Sequence, residues 1–311
     1  RLVTRYWNPN GQVWPEMHFG GLKWQLDQPA DTFQLSINQR DLAGGYTWVD
    51  SRVEVDRSLL RPLDGVEAKV GVIVLRRIDM NIEVKVCTRL DGSPFLVRWL
   101  EITNLNSQAV AVSTVAPVAG MLWSHRYEEH LPENLPSPFE LAYNHMFEWG
   151  REGDFWFESL PGGIKTVNGE KKGRSGWGRP AFWARDLCNG QVFVCELAWG
   201  GNYEFNLDCR LQAANWGWIQ VSPGNRQAAL YFRMGLSGYD PALRVLDALE
   251  TVRTPAVHIG LFQASTDTIV QATHDHVRNV IMPVQIPGRE IEIEANHRGY
   301  LCDRAHVPDI I

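Results

Sequence analysis

Two kinds of residue in this chain could do chemistry on a sugar. Glu128, Glu129, Glu148, Asp154, Glu158 and Glu204 lie in aromatic, loop-like surroundings. Glycoside hydrolysis needs two carboxyl groups facing across a cleft, roughly 5 Å apart for retention and roughly 6.5 to 9.5 Å for inversion. On a β-rich chain such partners come from different strands, so sequence spacing cannot select a pair, and solvated surface carboxylates are the competing reading. The second kind is aromatic: 13 Trp, 8 Tyr and 12 Phe offer flat apolar faces that suit a pyranose or a packed core equally well.

Other chemistries fall away. His274 and His276 sit two apart on a predicted helix, about 200° from each other, so they cannot chelate one ion as an i, i+4 pair would. No metal or cofactor is expected. The stretch Gly163 to Lys172 lacks P-loop spacing and reads as a flexible, solvated loop. There is no G-x-S-x-G elbow. Cys87, Cys188, Cys195, Cys209 and Cys302 form no CxxC pair and read as reduced thiols, which suits a cytoplasmic protein. With 30 Lys and Arg against 36 Asp and Glu, the net charge of −6 argues against a nucleic-acid partner. No run of roughly eighteen apolar residues and no basic-then-apolar leader appears, so neither membrane nor secretion is indicated.

The elements that must position these residues are mostly strands. Ile82-Glu83-Val84-Lys85-Val86 alternates with period two, Asp91-Gly92-Ser93-Pro94 is a turn, and Phe95 to Ile102 resumes a strand with Phe95, Val97 and Trp99 on one face. Val110 to Val118, Gln191 to Leu197, Gly217 to Val221 and Ala228 to Met234 are further strands. Tyr127 to Asp186, broken by Pro and Gly, predicts long loops with a few short strands. Asp240-Pro241 could open a helix. A better one spans Thr266 to Ile281, capped at Ser265, Thr266 or Asp267, striped by Ile269, Val270, Thr273, Val277, Val280 and Ile281, and stopped by Pro283. Ile291 and Ile293 alternate with Glu292 and Glu294 as the start of one more strand. The chain opens at Arg1 and closes at Asp309-Ile310-Ile311, and reads as a trimmed piece.

Several short motifs, in order, resemble the N-terminal region of family 36 glycoside hydrolases, the α-galactosidase-type enzymes. Arg98, Ile102 and Asn104 match a strand in which arginine leads into I-x-N. Gly173-Arg174-Ser175 with Pro180 and Phe182 resembles the family's RGRSS…NPF, with Lys172 and Gly176 as departures. Trp199-Gly200-Gly201-Asn202-Tyr203 is similar to YSGNF, Glu250, Thr254 and Pro255 to E-x-F-x-TPE, and Gln271 to Arg278 to the linking Q-x-F-H-D-x-x-R helix. The resemblance covers about Val66 to Pro283.

It implies a mainly β fold: a large antiparallel β-sandwich of the galactose-mutarotase-like supersandwich type over residues 1–262, then over 263–311 a linker helix and the truncated start of a (β/α)8 barrel. It also implies strand and turn across Leu243 to Thr254 in place of the Asp240 helix. In the family the barrel carries an aspartate nucleophile and an aspartate acid/base. Only 28 residues follow Pro283, so those aspartates have no counterpart and no catalytic residue is expected here. Lys23-Trp24-Gln25-Leu26-Asp27 echoes the nucleophile motif KWD but has Gln after Trp. Glu294 to Tyr300 departs from the family's N-x-W-E.

The implied role is that of a non-catalytic domain that supports its barrel, takes part in assembly, with homo-oligomers among the options, and lends side chains to a galactoside cleft. For that last part Trp48 and Asp50, after the Gly44-Gly45-Tyr46-Thr47 loop, and Trp199 and Asn202 are the candidates. Sealing of the sandwich or of the barrel interface by both tryptophans is the alternative. A free-standing sugar-binding module and a mutarotase-like epimerase using His125, His145 and Glu204 are the other two classes of function.

Overall fold

The computed structural model describes residue 2 and residues 31–57, 65–126, 137–145, 154–169, 178–212, 215–216, 219–220, 227–237 and 242–282. In chain order the strands are β1 (Gln34–Ile37), β2 (Arg40–Asp41), β3 (Thr47–Val55), β4 (Lys69–Arg77), β5 (Ile82–Leu90), β6 (Phe95–Asn104), β7 (Val110–Arg126), β8 (Phe139–Asn144), β9 (Phe155–Ser159) and β10 (Gly163–Gly169). They continue as β11 (Ala181–Asp186), β12 (Val192–Leu197), β13 (Tyr203–Gln212), β14 (Asn215–Trp216), β15 (Ile219–Gln220), β16 (Gln227–Leu236), β17 (Arg244–Leu246), β18 (Thr251–Arg253) and β19 (Val257–Phe262). One α-helix follows, α1 (Thr266–His276), and it runs on into a π-type turn at Val277–Ile281.

Two antiparallel sheets face each other. The smaller runs β10-β13-β16-β7-β1-β2 with β17 also paired to β7; the larger runs β3-β4-β5-β6-β19-β12-β11-β8-β9 with β18 paired to β6. The core between them is built from residues two apart on each strand, as the pleat requires. Phe205, Leu207 and Cys209 of β13 and Leu230, Phe232 and Met234 of β16 meet Phe182 and Phe193 of the larger sheet. The Phe182–Phe205 and Phe193–Phe232 ring centroids lie 4.9 and 4.8 Å apart. A second part of the core joins Leu35 and Ile37 of β1 to Val84, Leu100, Ile102 and Leu246.

The larger sheet is also covered on its far side. Phe95, Val97 and Trp99 bury on that face while Leu100 and Ile102 face the other sheet, which is why β6 reads as a nearly unbroken apolar run. Helix α1 packs there through Ile269 and Ala272 against Phe95, Trp183, Val194 and Phe262. Its N-terminus is capped as expected: Ser265 Oγ accepts from the Thr268 backbone N–H at 3.3 Å.

The expected helical stripe is only partly the buried one. Val270 and Ile281 are exposed, whereas His276 is buried beside Ile269 and Val280. The described part of residues 127–186 holds short strands, as expected there. Four strands, β8 to β11, lie there, β8 and β11 inside the larger sheet and β9 and β10 at sheet edges, because antiparallel neighbours supply partners for their backbone N–H and C=O groups. The expected solvated loop at Gly163 to Lys172 is, through Gly169, the edge strand β10, in unbroken register with β13. Leu243 to Thr254 is strand, turn, strand, as the resemblance implies. Asp240, Pro241, the Lys23 to Asp27 stretch, Gly173-Arg174-Ser175, Glu128, Glu129, Glu148, Cys302 and the strand at Ile291 lie outside the described residues.

The aromatic inventory divides. Trp99, Trp123 and Trp183 are buried, with Trp123 Nε1 donating to Gln191 Oε1 at 2.9 Å, while Trp48, Trp156 and Trp199 stand exposed.

Candidate functional site

Trp199 and Asn202 lie on the turn between β12 and β13. The chain leaves β12 with the Ala198 N–H donating to Ala256 O and the Trp199 N–H to Leu197 O, both at 2.8 Å. This tight exit turns the indole back over Gly201, where an added Cβ would come within 2.5 Å of Trp199 Nε1. Gly201 therefore sets where the ring lies, and Trp199 remains 46% exposed. Beside it opens a cavity of about 560 Å³ lined by Asn202, Ser237, Arg244, Arg253, Thr254 and Pro255 over an apolar floor that includes Ile102 and Val115. Ser237 Oγ is buried with no hydrogen-bond partner among the described residues. No carboxylate and no histidine is among the described lining residues. Its described lining can bind or dock a neutral group.

The motif residues around it act as fastenings. Asn104 is fully buried, its Nδ2 donating to the carbonyls of Gln108, Leu246 and Asp247 at 2.8 to 3.2 Å while its Oδ1 accepts from the Asn106 N–H. It ties β6 to β17 and to the turn after it. Thr254 Oγ1 accepts from the Leu100 N–H at 3.0 Å and donates to Pro255 O at 3.1 Å, holding the chain beside β6 on its way into β19. Glu250 accepts from Arg244 Nη2 at 2.6 Å and from the Asp247 N–H at 2.8 Å; the guanidinium holds its carboxyl below the usual range. Arg98 Nη1 donates to Thr32 Oγ1 at 2.6 Å and Nε to Thr88 Oγ1 at 3.1 Å, and burial lowers its pKa to about 10, leaving it charged at neutral pH.

Trp48 and Asp50 are elsewhere. Both are on β3, the edge strand of the larger sheet, five strand steps from β12, or about 24 Å at the usual spacing. A bulge at Val49 puts Trp48 opposite Leu75 and Asp50 opposite Val74. Leu75 faces the inter-sheet core and Val74 the opposite side, so the bulge turns Trp48 and Asp50 to different faces of the strand. The indole is 63% exposed, and Asp50 Oδ2 accepts from Arg52 Nη1 at 2.9 Å. The structure thus brings Trp199 and Asn202 to one cavity and separates the other pair from them and from each other.

The acid/base candidates do not converge either. His145 is stacked between Tyr143 and Trp156, each ring 4.0 Å away, with Glu158 Oε2 at 4.0 Å and Lys165 bridging to Glu158 Oε1 at 3.2 Å. Tyr143 touches Phe205, which points into the core from β13, whereas Glu204 leaves the same strand on the outer side and accepts from Arg233 Nη2 at 2.9 Å. A strand lies between His145 and Glu204. His125 pairs with Ala228 through the backbone of β7, and its side chain lies outside the described residues. The described thiols, Cys87, Cys188, Cys195 and Cys209, are free, and burial raises every one of their pKa values, to about 11 for Cys87 and Cys209 and about 12 for Cys188. Among the described residues no three His, Cys, Asp or Glu side chains cluster as metal ligands.

Sequence reasoning missed one polar pair. His258 Nδ1 and His276 Nε2 meet at 2.9 Å in a buried junction between β19 and the end of α1, with His276 stacked on Phe95 at 4.4 Å. The two are 18 residues apart on different kinds of element, and no local pattern announces them.

No family model matches this chain, and no curated protein matches it. Solved structures do. The α-galactosidase from Lactobacillus brevis superposes with a TM-score of 0.58 at 14% identity, over 83% of this chain and 32% of its own. Family 36 α-galactosidase AgaA from Geobacillus stearothermophilus, solved with stachyose, gives 0.58 at 16% identity, over 82% of this chain and 33% of its own. The galactosidase domain of an α-galactosidase-sucrose kinase gives 0.57 at 14% identity. The chain has the fold of part of these proteins and spans about a third of their length.

Proposed function

We propose that this chain is the non-catalytic N-terminal β-domain of an α-galactosidase-like glycoside hydrolase, which supports a (β/α)8 barrel encoded beyond Ile311 and presents the Trp199 cavity to it. The observation that carries this reading is the fold itself, which accounts for four-fifths of this chain and only a third of the α-galactosidases it resembles. The cavity's chemistry supports it. An apolar floor and an uncommitted hydroxyl at Ser237 suit docking of a loop or a sugar, and proton transfer is assigned to the barrel.

The wider proposal follows the same line. The partner is a galactoside held in the complete enzyme, in keeping with a relative crystallised with stachyose and another form crystallised with raffinose. The open edge at β3, which exposes Trp48, Val49, Val53 and Val55, supports self-association into a homo-oligomer. The acidic net charge speaks against nucleic acid, and the free thiols among the described residues support a cytoplasmic setting. No described helix is long and apolar enough to cross a membrane.

The test is hydrolysis of a chromogenic α-galactoside. The chain extended by its natural downstream sequence is expected to turn over, and the 311-residue chain is not. Trp199→Ala and Trp48→Ala in the extended protein are expected to lower kcat/KM by about tenfold or more if the indoles reach the cleft. Turnover by the 311 residues alone would overturn the reading, and unchanged kcat/KM in both variants would remove the lending role.

A further inference from the structure

We propose that the outer face of the seven-stranded sheet carries a second, independent binding site, for a neutral pyranose, organised by Arg233. The cavity there is about 590 Å³, a size typical of small-ligand sites, and it is walled by β1, β2, β7, β10, β13 and β16 with the residues flanking them. Neither the barrel reading nor the Trp199 cavity uses it.

The register builds the site. Thr166 of β10 pairs with Asn206 of β13, Asn206 with Arg233 of β16, and Arg233 with Ala119 of β7, so these four form one row across the sheet. The next row is Ile164, Asp208 and Tyr231. The alternate residues Phe205, Leu207, Phe232 and Met234 fill the core, which leaves both rows on the outer side. A methyl group at Ala119 is what opens the floor, because it lets the Arg233 side chain reach beyond β7 to Gln34 on β1.

The polar groups are pre-set. Arg233 Nη1 donates to Gln34 Oε1 at 2.6 Å, Nη2 to Glu204 Oε1 at 2.9 Å, and Nε to Asn206 Oδ1. Asn206, only 8% exposed, in turn donates from Nδ2 to Thr166 Oγ1 at 2.6 Å. A guanidinium has five N–H groups, so two remain for a ligand, beside the Gln34 amide N–H groups. Asp208 gives Oδ2 to Arg210 at 2.8 Å, and Oδ1 is left as an acceptor. Arg210 is itself held over the Tyr231 ring at 4.2 Å. Fixed donors beside a fixed acceptor are what vicinal hydroxyls require, and Ile164, 71% exposed, offers an apolar lip for the C–H face of a ring.

Charge selects against an anion. Among the described residues, Arg210 and Arg233 face Asp41, Asp208 and the Glu204 carboxylate on Arg233, so a phosphate or a uronate would meet more acidic than basic groups there. A neutral polyol meets no such penalty.

The test is ligand-observed NMR and calorimetry on the 311-residue chain with D-galactose, D-glucose and D-mannose, and with inorganic phosphate and D-glucuronate as anionic comparisons. At least one neutral sugar is expected to bind in the millimolar range and more tightly than either anion. Ala119→Leu, which fills the floor and blocks the path of Arg233 to Gln34, and Arg233→Lys, which keeps the charge but loses the fork, are each expected to weaken it by about tenfold or more. Trp199→Ala is expected to leave it unchanged, which separates this site from the other cavity. Circular dichroism confirms that the variants fold, and Thr166→Ala, on the edge strand, replaces either one that does not. No binding of any neutral sugar by the folded chain overturns the proposal. So does tighter binding of phosphate or glucuronate, binding unaffected in the folded site variants, or binding lost with Trp199→Ala. A downstream barrel, present or absent, leaves this result unaffected.

Discussion

The buried pair His258 and His276 makes the attachment of α1 sensitive to acid in a calculable way. Burial, reinforced for His258 by the facing His276 and by Arg89, lowers the pKa of His258 to about 3; burial lowers that of His276 to about 4, with Arg89 adding to the effect and Asp91 opposing it. Both rings are thus neutral in the folded protein, one donating to the other, while in the unfolded chain each titrates near 6.5. For a group whose folded pKa is depressed in this sense, the unfolded state takes up protons first as pH falls. The stability contribution is whole above about pH 6.5 and is lost as pH falls from 6.5 to about 4 for His276 and to about 3 for His258. At pH 5 the unfolded chain gains RT ln(1 + 10^1.5), about 2 kcal/mol per histidine and about 4 kcal/mol for the pair. Paired carboxylates such as Asp79 and Glu250, whose pKa values are lowered, respond only at more acidic pH. Urea unfolding followed by near-UV circular dichroism at pH 7 and pH 5 reads the loss directly. His276→Gln, which removes one titrating ring and exposes the other to a neutral amide, is expected to halve the pH dependence or better. Equal unfolding free energies for the natural chain at pH 7 and pH 5, or an unchanged slope in His276→Gln, would refute the reasoning.

Two further predictions rest on packing. Asn104→Ala removes the buried amide donor that three backbone carbonyls share and is expected to cost about 3 kcal/mol in urea unfolding, far more than a surface asparagine would. Gly235→Ala drives a Cβ into the Val115 carbonyl oxygen and to within 2.7 Å of Ala116 Cα, both backbone atoms, and is expected to cost about 3 kcal/mol. Gly201→Ala meets first the Trp199 indole, a side chain that can swing away. Its expected cost is under about 1 kcal/mol, with a shift in tryptophan emission as the ring leaves the cavity.

Some of this protein is written locally. The alternation in Ile82 to Val86, the turn at Asp91 to Pro94, and the Ser265 cap before an amphipathic run each depend on residues within a few positions of one another. They appear in the structure as β5, the β5–β6 turn and α1. Trp199 and Asn202 share a cavity for the same reason, because one four-residue turn carries both. The order of motifs also pointed to the sandwich, since Asn104, Glu250 and Thr254 are the fastenings that this topology needs. Local spacing misleads where pairing intervenes. Trp48 and Asp50, two apart, should share a face of a strand, and a bulge at Val49 that exists only against β4 sends them to opposite faces. The Gly-rich segment from Gly163 becomes a strand because β13 supplies its partners. The row Thr166, Asn206, Arg233 and Ala119 spans more than a hundred positions, and His258 meets His276 only once a helix lies on a sheet. Periodicity along the chain decides which residues are buried in an element, whereas register between strands decides which side chains meet, and register is a property of the assembled sheets.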